Sequence, residues 1–339
     1  MICARMARPV SARHTTLRTA VALLAAGGLL AGCGASGGKA GSATGGSGGR
    51  AGAAHMTIGM VSHAGDGDTF WDIVQNGARR AAAKDGVRFL YAHDKEGSRQ
   101  AELIQSYIDQ KVDGLIVTLA KPQAVKAAVG KAEAQGIPVV TVNSGGEFSA
   151  AYGALAHIGQ DETVAGRAVG DELNGRHARH VLCVIHEQGN VSLEDRCAGV
   201  RAAFHGKVDT LNVDGTNAPA SQSSLQAELQ ADPSLDTVVT LGAPLASLSV
   251  KAKQQAGSSA QIATFDLNAE VVRLLKAKDV AFAVDQQPYL QGYEAVDLLR
   301  LHRDNADVLG GGRPVLTGPA IVTGKDVPQL EQYTGRGTR

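Results

Sequence analysis

The strongest constraint on this chain is an alternation, run through twice, of short β-branched segments and longer amphipathic ones. The first series comprises TIGMVS (57–62), VRFLYA (87–92), DGLIVTL (113–119) and IPVVTV (137–142), with helical patterns beginning near Phe70, Ser98 and Pro122. The apolar runs are too short for helices and rich in Val, Ile and Thr, whereas the stretches between them carry helical periodicity. Pro122 stands where a first helical turn tolerates a residue without an N–H. Strands joined by helices pair in parallel, and a parallel sheet needs both faces covered. A second series follows: HVLCVIH (180–186), VDTLNV (208–213), LDTVVTL (235–241), QIATFD (261–266) and VAFAVD (280–285). The expectation is an α/β protein of two doubly wound parallel-sheet (Rossmann-like) lobes facing each other.

Open parallel sheets bind ligands beyond the carboxyl ends of their strands, so the residues just after each strand are the ones to inspect. After the first strand comes GDGDTFWD, which holds Asp66, Asp68, Phe70 and Trp71, the chain's single tryptophan. After the fourth come Asn143 and Ser144. The second series contributes His186 and Glu187 in HEQGN, Asp266 and Asn268 in FDLNAE, and Asp285, Gln286 and Gln287 in VDQQPYLQG. Carboxylates, amides and aromatics together suit a neutral, hydroxyl-rich molecule, whose CH faces lie on rings while its hydroxyls pair with planar polar groups.

Ahead of the first strand the chain reads as an export signal. Arg5, Arg8, Arg13 and Arg18 precede an apolar run from Ala20 to Ala31, which falls short of the ~20 residues needed to span a bilayer. Leu30-Ala31-Gly32-Cys33 resembles the bacterial lipobox, giving a signal peptide over 1–32 and lipid on Cys33, so that the chain is expected outside the cytoplasm, anchored to the cell membrane. Residues 33–55 are nearly all Gly, Ala and Ser and read as a flexible tether. The roughly 280 residues beyond it favour two domains at about 150 residues each. Cys183 and Cys197 remain as a pair, either joined in an oxidising compartment or left as two buried thiols. No CxxC or HxxxH spacing accompanies His186, so no metal is expected.

Charge and motifs exclude other classes. The 33 basic and 33 acidic residues cancel, which argues against nucleic acid as a partner. No GxSxG, HExxH or GKS-type phosphate loop appears, so neither catalysis nor a cofactor is expected. Paired carboxylates of a glycoside-processing enzyme are the residual catalytic alternative.

The order of motifs then resembles the periplasmic sugar-binding proteins of ABC importers, of the ribose-binding type, over nearly all of residues 57–323. The resemblance rests on TIGMV with FWDIVQNGARRAAAKDGV, VDGLIVTLAKP, GIPVVTVNS, HIGQDETVAGRAVGDEL, EDRCAGVRAAF, ATFDLN and VDQQPYLQGYEAVDLL. It implies that Phe70 and Trp71 pack against a sugar ring, with Asp68 near a polar position before them. It also implies that Arg196, at the start of a helix, Asp266 and Gln286 meet the ligand. Asn143 and Ser144 replace an acid and an arginine of ribose binders, and LGAPLAS (241–247) lacks their Asn-Asp. These departures point away from ribose toward a pyranose or a polyol. Asp161 and Glu162 are read as helix-start acids near the hinge.

The same resemblance implies a monomer with three chain crossings, near Ile158–Asp161, Asp285–Gln287 and Pro319–Thr323. The lobes would comprise 57–160 plus 287–319 and 161–286 plus 320–334. Closure on the sugar would present the loaded form to a membrane permease. A lipid-anchored sensor that presents its ligand to a receptor is the alternative with the same fold.

Overall fold

Short β-branched runs and the helices between them assemble as the alternation requires. The computed structural model describes residues 55–339; the expected signal peptide over 1–32, Cys33 and all but the last residue of the expected tether over 33–55 lie outside the described residues. In chain order the first lobe builds β1 (Thr57–Ser62), α1 (Thr69–Asp85), β2 (Arg88–His93), α2 (Gly97–Asp109), β3 (Gly114–Val117), α3 (Pro122–Ala134), β4 (Val139–Asn143), the short α4 (Gly146–Ser149) and β5 (Ala156–Gly159). The second lobe follows with α5 (Glu162–Gly175), β6 (His180–Ile185), α6 (Val191–Ala203), β7 (Lys207–Asn212) and α7 (Ala218–Ala231). It continues through β8 (Thr237–Thr240), α8 (Ala243–Ala256), β9 (Gln261–Phe265), α9 (Ala269–Ala277) and β10 (Phe282–Asp285). The chain then runs through α10 (Pro288–Asn305), β11 (Val315–Leu316), β12 (Ala320–Val322) and α11 (Val327–Thr334).

Two six-stranded sheets result, ordered β11-β5-β4-β3-β1-β2 and β12-β10-β9-β8-β6-β7. All pairings are parallel except that of β12 with β10, which is antiparallel. The inner strands are apolar along their length because helices cover both faces, and β3, β4, β6, β8 and β10 are buried at every position. Each sheet therefore carries one core on either face. Strand β5 (AHIG) escapes the sequence reading because four residues with His and Gly carry no β-branched run.

The chain passes between the sheets three times, after β5, after β10 and between β11 and β12. Helix α10 returns to pack on α1, β4 and β5, and α11 packs on α9. Gln287, at φ 57°, ties two of these passages by donating to the Thr317 carbonyl (2.6 Å). Asp285 is fully buried and pairs with Arg339, so it serves the fold beside the hinge and does not line the cleft.

Two local features set the position of α6. A disulfide joins Cys183 on β6 to Cys197 on α6, with Cα atoms 6.0 Å apart and 14 residues of separation. A loop of that size is worth about 3 kcal/mol when closed in the unfolded chain. Helices α5 and α6 also cross at Gly166 and Gly199, where a methyl group on Gly166 would collide with the Arg196 carbonyl. That close approach brings Glu162 against Arg196.

Candidate ligand-binding cleft

In both sheets the strand order reverses between two neighbours, β1 and β3 in one, β6 and β8 in the other. Helices leave in opposite directions there, which opens a crevice at the carboxyl ends. The two crevices face each other and enclose a cavity of about 630 Å³. Its lining includes His63, Asp68, Phe70, Trp71, Asn143, Ser144, His186, Glu187, Arg196, Asp266 and Gln286.

The first-lobe wall is made by the opening turn of α1. Asp68 caps that helix, accepting the Phe70 N–H at 3.1 Å, and so fixes the aromatic pair that follows. Phe70 and Trp71 meet edge to face, centroids 5.1 Å apart at 78°, and His63 abuts the indole at 5.1 Å and 80°. Phe70 is 8% exposed and Trp71 3%, so both are core residues that also turn a limited surface to the cavity.

At the hinge end the polar groups form one chain. Ser144 donates to Asn143 Oδ1 (2.7 Å), Asn143 Nδ2 to Gln286 Oε1 (3.0 Å), and Gln286 Nε2 to Asp266 Oδ1 (2.6 Å). Asn143 and Asp266 both adopt left-handed backbone (φ 63° and 67°), a conformation that short polar side chains tolerate. Arg196 Nη1 lies 3.9 Å from Asp266 Oδ2 and donates to the Leu241 carbonyl at 2.8 Å. Its other face is held by Glu162 in a two-point pair, Nε to Oε2 at 2.7 Å and Nη2 to Oε1 at 3.0 Å. Burial pushes the Asp266 carboxyl up to about 7, outweighing Arg196 and the Gln286 amide that hold it down. The half-buried Asp68 is likewise pushed up, to about 6, by burial.

Across the mouth the lobes touch. Val191 N–H donates to the Ala120 carbonyl at 3.0 Å, and Lys121 Nζ pairs with Glu187 at 3.3 Å. Glu187 also accepts from Asn190 Nδ2 at 2.8 Å. The His186 ring packs against Gly242, where a methyl group would meet Cε1 at 2.9 Å, and burial pushes its pKa down to about 4, keeping it neutral.

Three sequence expectations change. Asn268 does not line the cavity; it caps α9, its side chain accepting the Val271 N–H at 2.8 Å. Arg196 sits within α6 and not at its start, and is buried at 3% exposure. Glu162 does more than favour the positive end of α5, since it neutralises Arg196 while Asp161 supplies the cap. His63, Lys121 and Asn190 also line the cleft, in addition to the residues expected from the sequence. His63 directly follows β1, the position that the strand-end rule itself marks.

The raised Asp266 has a signed consequence. In the unfolded chain this carboxyl titrates near 4, in the fold near 7, so between those values the fold holds the extra proton. Its stabilising contribution is complete below about pH 4 and is lost as pH rises through about 7. Chemical denaturation of the protein and of Asp266→Asn across pH 4 to 8 should show the stability difference, wild type minus variant, falling as pH rises. A difference that grew with pH would contradict the assignment.

Comparison with known proteins bears on this arrangement. Residues 58–306 match the family described as periplasmic binding protein domain. The ribose import binding protein of Bacillus subtilis (strain 168) is 24% identical over 236 residues, covering 67% of this chain and 75% of that protein. A solved carbohydrate transporter from Acidothermus cellulolyticus 11B, in complex with myo-inositol, is 46% identical with a TM-score of 0.83, covering 84% of this chain and 100% of that one. A glucose-galactose binding protein from Geobacillus stearothermophilus shares the fold at 21% identity and a TM-score of 0.72, over 81% of this chain and 99% of that one.

Proposed function

This chain belongs to the periplasmic binding protein family, as a type I sugar-binding protein of the kind that serves ABC transporters, and on that premise we propose that it captures a cyclic polyol, myo-inositol or a close relative. Its homologues are binding and transport proteins, not enzymes. The observation that carries the ligand reading is the cleft itself: an aromatic wall at Phe70 and Trp71 faces the polar chain from Ser144 through Gln286 to Asp266 and Arg196. The 46% identical carbohydrate transporter holds myo-inositol, and a ring with a hydroxyl on every carbon matches an inventory of carboxylates, amides and one guanidinium.

Selectivity follows from enclosure. Both lobes contribute to the lining, so a ligand that contacts both favours the closed arrangement. Each hydroxyl taken from water needs a partner or costs about 1 to 3 kcal/mol, and an epimer leaves one unpaired. Residues 57–160 plus 287–319 would move as one body, residues 161–286 plus 320–334 as the other.

The closed, loaded monomer then delivers its ligand to a membrane permease, held near it by lipid on Cys33 and by the Gly-rich tether. The sequence before residue 55 supports that anchoring. Cells lacking the gene should lose uptake of labelled myo-inositol, and Cys33→Ser should move the protein from the membrane pellet to the soluble fraction. Undiminished uptake in the deletion strain would favour a receptor as partner, and an unchanged fractionation of Cys33→Ser would sink the anchor.

A further inference from the structure

We propose that His63 reads the ligand directly, donating its Nε2–H to a ligand oxygen that also accepts from Asn190 on the opposite lobe. The inference rests on the reading of the cleft as a polyol or sugar site. His63 leaves β1 at the first lobe's switch point, is 8% exposed and lines the cavity. Its tautomer follows from the bonds around Thr118. The Thr118 hydroxyl accepts the His63 backbone N–H at 3.1 Å and Gln100 Nε2 at 3.0 Å, which occupies both lone pairs. Its one proton therefore goes to His63 Nδ1, 2.9 Å away. Burial lowers the pKa of the imidazole and keeps it neutral, so the ring proton stands on Nε2.

That proton points toward groups that do not take it. Asn190 Nδ2, at 3.3 Å, is itself a donor, and its amide is oriented at both ends: Oδ1 accepts the Ser192 N–H at 3.1 Å and Nδ2 gives one hydrogen to Glu187 Oε2 at 2.8 Å. Glu187 Oε2 lies 3.8 Å from Nε2, beyond hydrogen-bonding range. Two donors, one from each lobe, thus converge beside the Trp71 indole, and one oxygen can accept from both. Such an oxygen is held by both lobes only when they close, which makes His63 a specificity-determining residue as well as a sensor of closure.

The test uses the full chain, myo-inositol and a series of its mono-deoxy analogues in titration calorimetry. His63→Leu removes the donor, and His63→Gln can return an amide N–H to the same region. His63→Leu should weaken myo-inositol binding by about 5- to 100-fold, with most of the loss recovered in His63→Gln. The loss should vanish for the one deoxy analogue that lacks the hydroxyl met by Nε2. Binding by His63→Leu within about twofold of wild type, or an equal loss for every analogue, would overturn the proposal; the second result marks a merely structural role. A wild-type chain that binds none of these ligands overturns the functional reading first, and this inference with it.

Discussion

Arg196→Met should lower the stability of the protein by about 3 to 5 kcal/mol, because it leaves Glu162 buried in the second lobe without its cationic partner. Both partners are nearly sealed from water, with side-chain exposures of 4% and 6%. Of the contacts to Glu162, only the Gln160 amide, at 2.8 Å, would remain. Burial already pushes the Glu162 carboxyl up against the pull of Arg196, so the variant should fold with Glu162 protonated, and its deficit should grow as pH rises. Adding Glu162→Leu to Arg196→Met removes the stranded group and should return part of the lost stability. Ligand affinity should stay low in both, since the guanidinium beside Asp266 is gone in each. Urea denaturation separates these effects from calorimetric binding. Wild-type stability in Arg196→Met would show that the pair does not hold α5 to α6.

Trp71→Ala should cost a further class of energy. The indole belongs to the first lobe's core together with Phe70, Val74 and Ala78, so its removal should destabilise the fold by about 3 to 5 kcal/mol. With the ring only 3% exposed, this change should weaken folding more than it weakens binding. Binding is better read from Trp71→Leu, which refills the core without the π face and should weaken a ring ligand by about 10-fold. A variant that folds and binds as wild type would remove the aromatic wall from the account.

The strand runs and their closing polar residues announced two parallel sheets and most of the cleft, because a short β-branched apolar run and a strand-end position are local properties. Arg196 and Glu162 stand 34 residues apart, and what joins them is a helix crossing at Gly166 and Gly199 that no local pattern encodes. Asn268 misled for the opposite reason. Two residues after Asp266 it shares the loop, but the start of α9 claims its side chain as a cap. His63 was hidden by its setting, since its partners Thr118 and Asn190 lie 55 and 127 residues away.

Titrating myo-inositol into the protein by calorimetry, while following the emission of Trp71, tests whether a cyclic polyol is enclosed between the lobes. The expected result is one site per chain, a saturable change in the emission of this single tryptophan, and competition by related cyclic polyols. Saturable heat from amino acids or purines, with none from any cyclic polyol or pyranose, would contradict it.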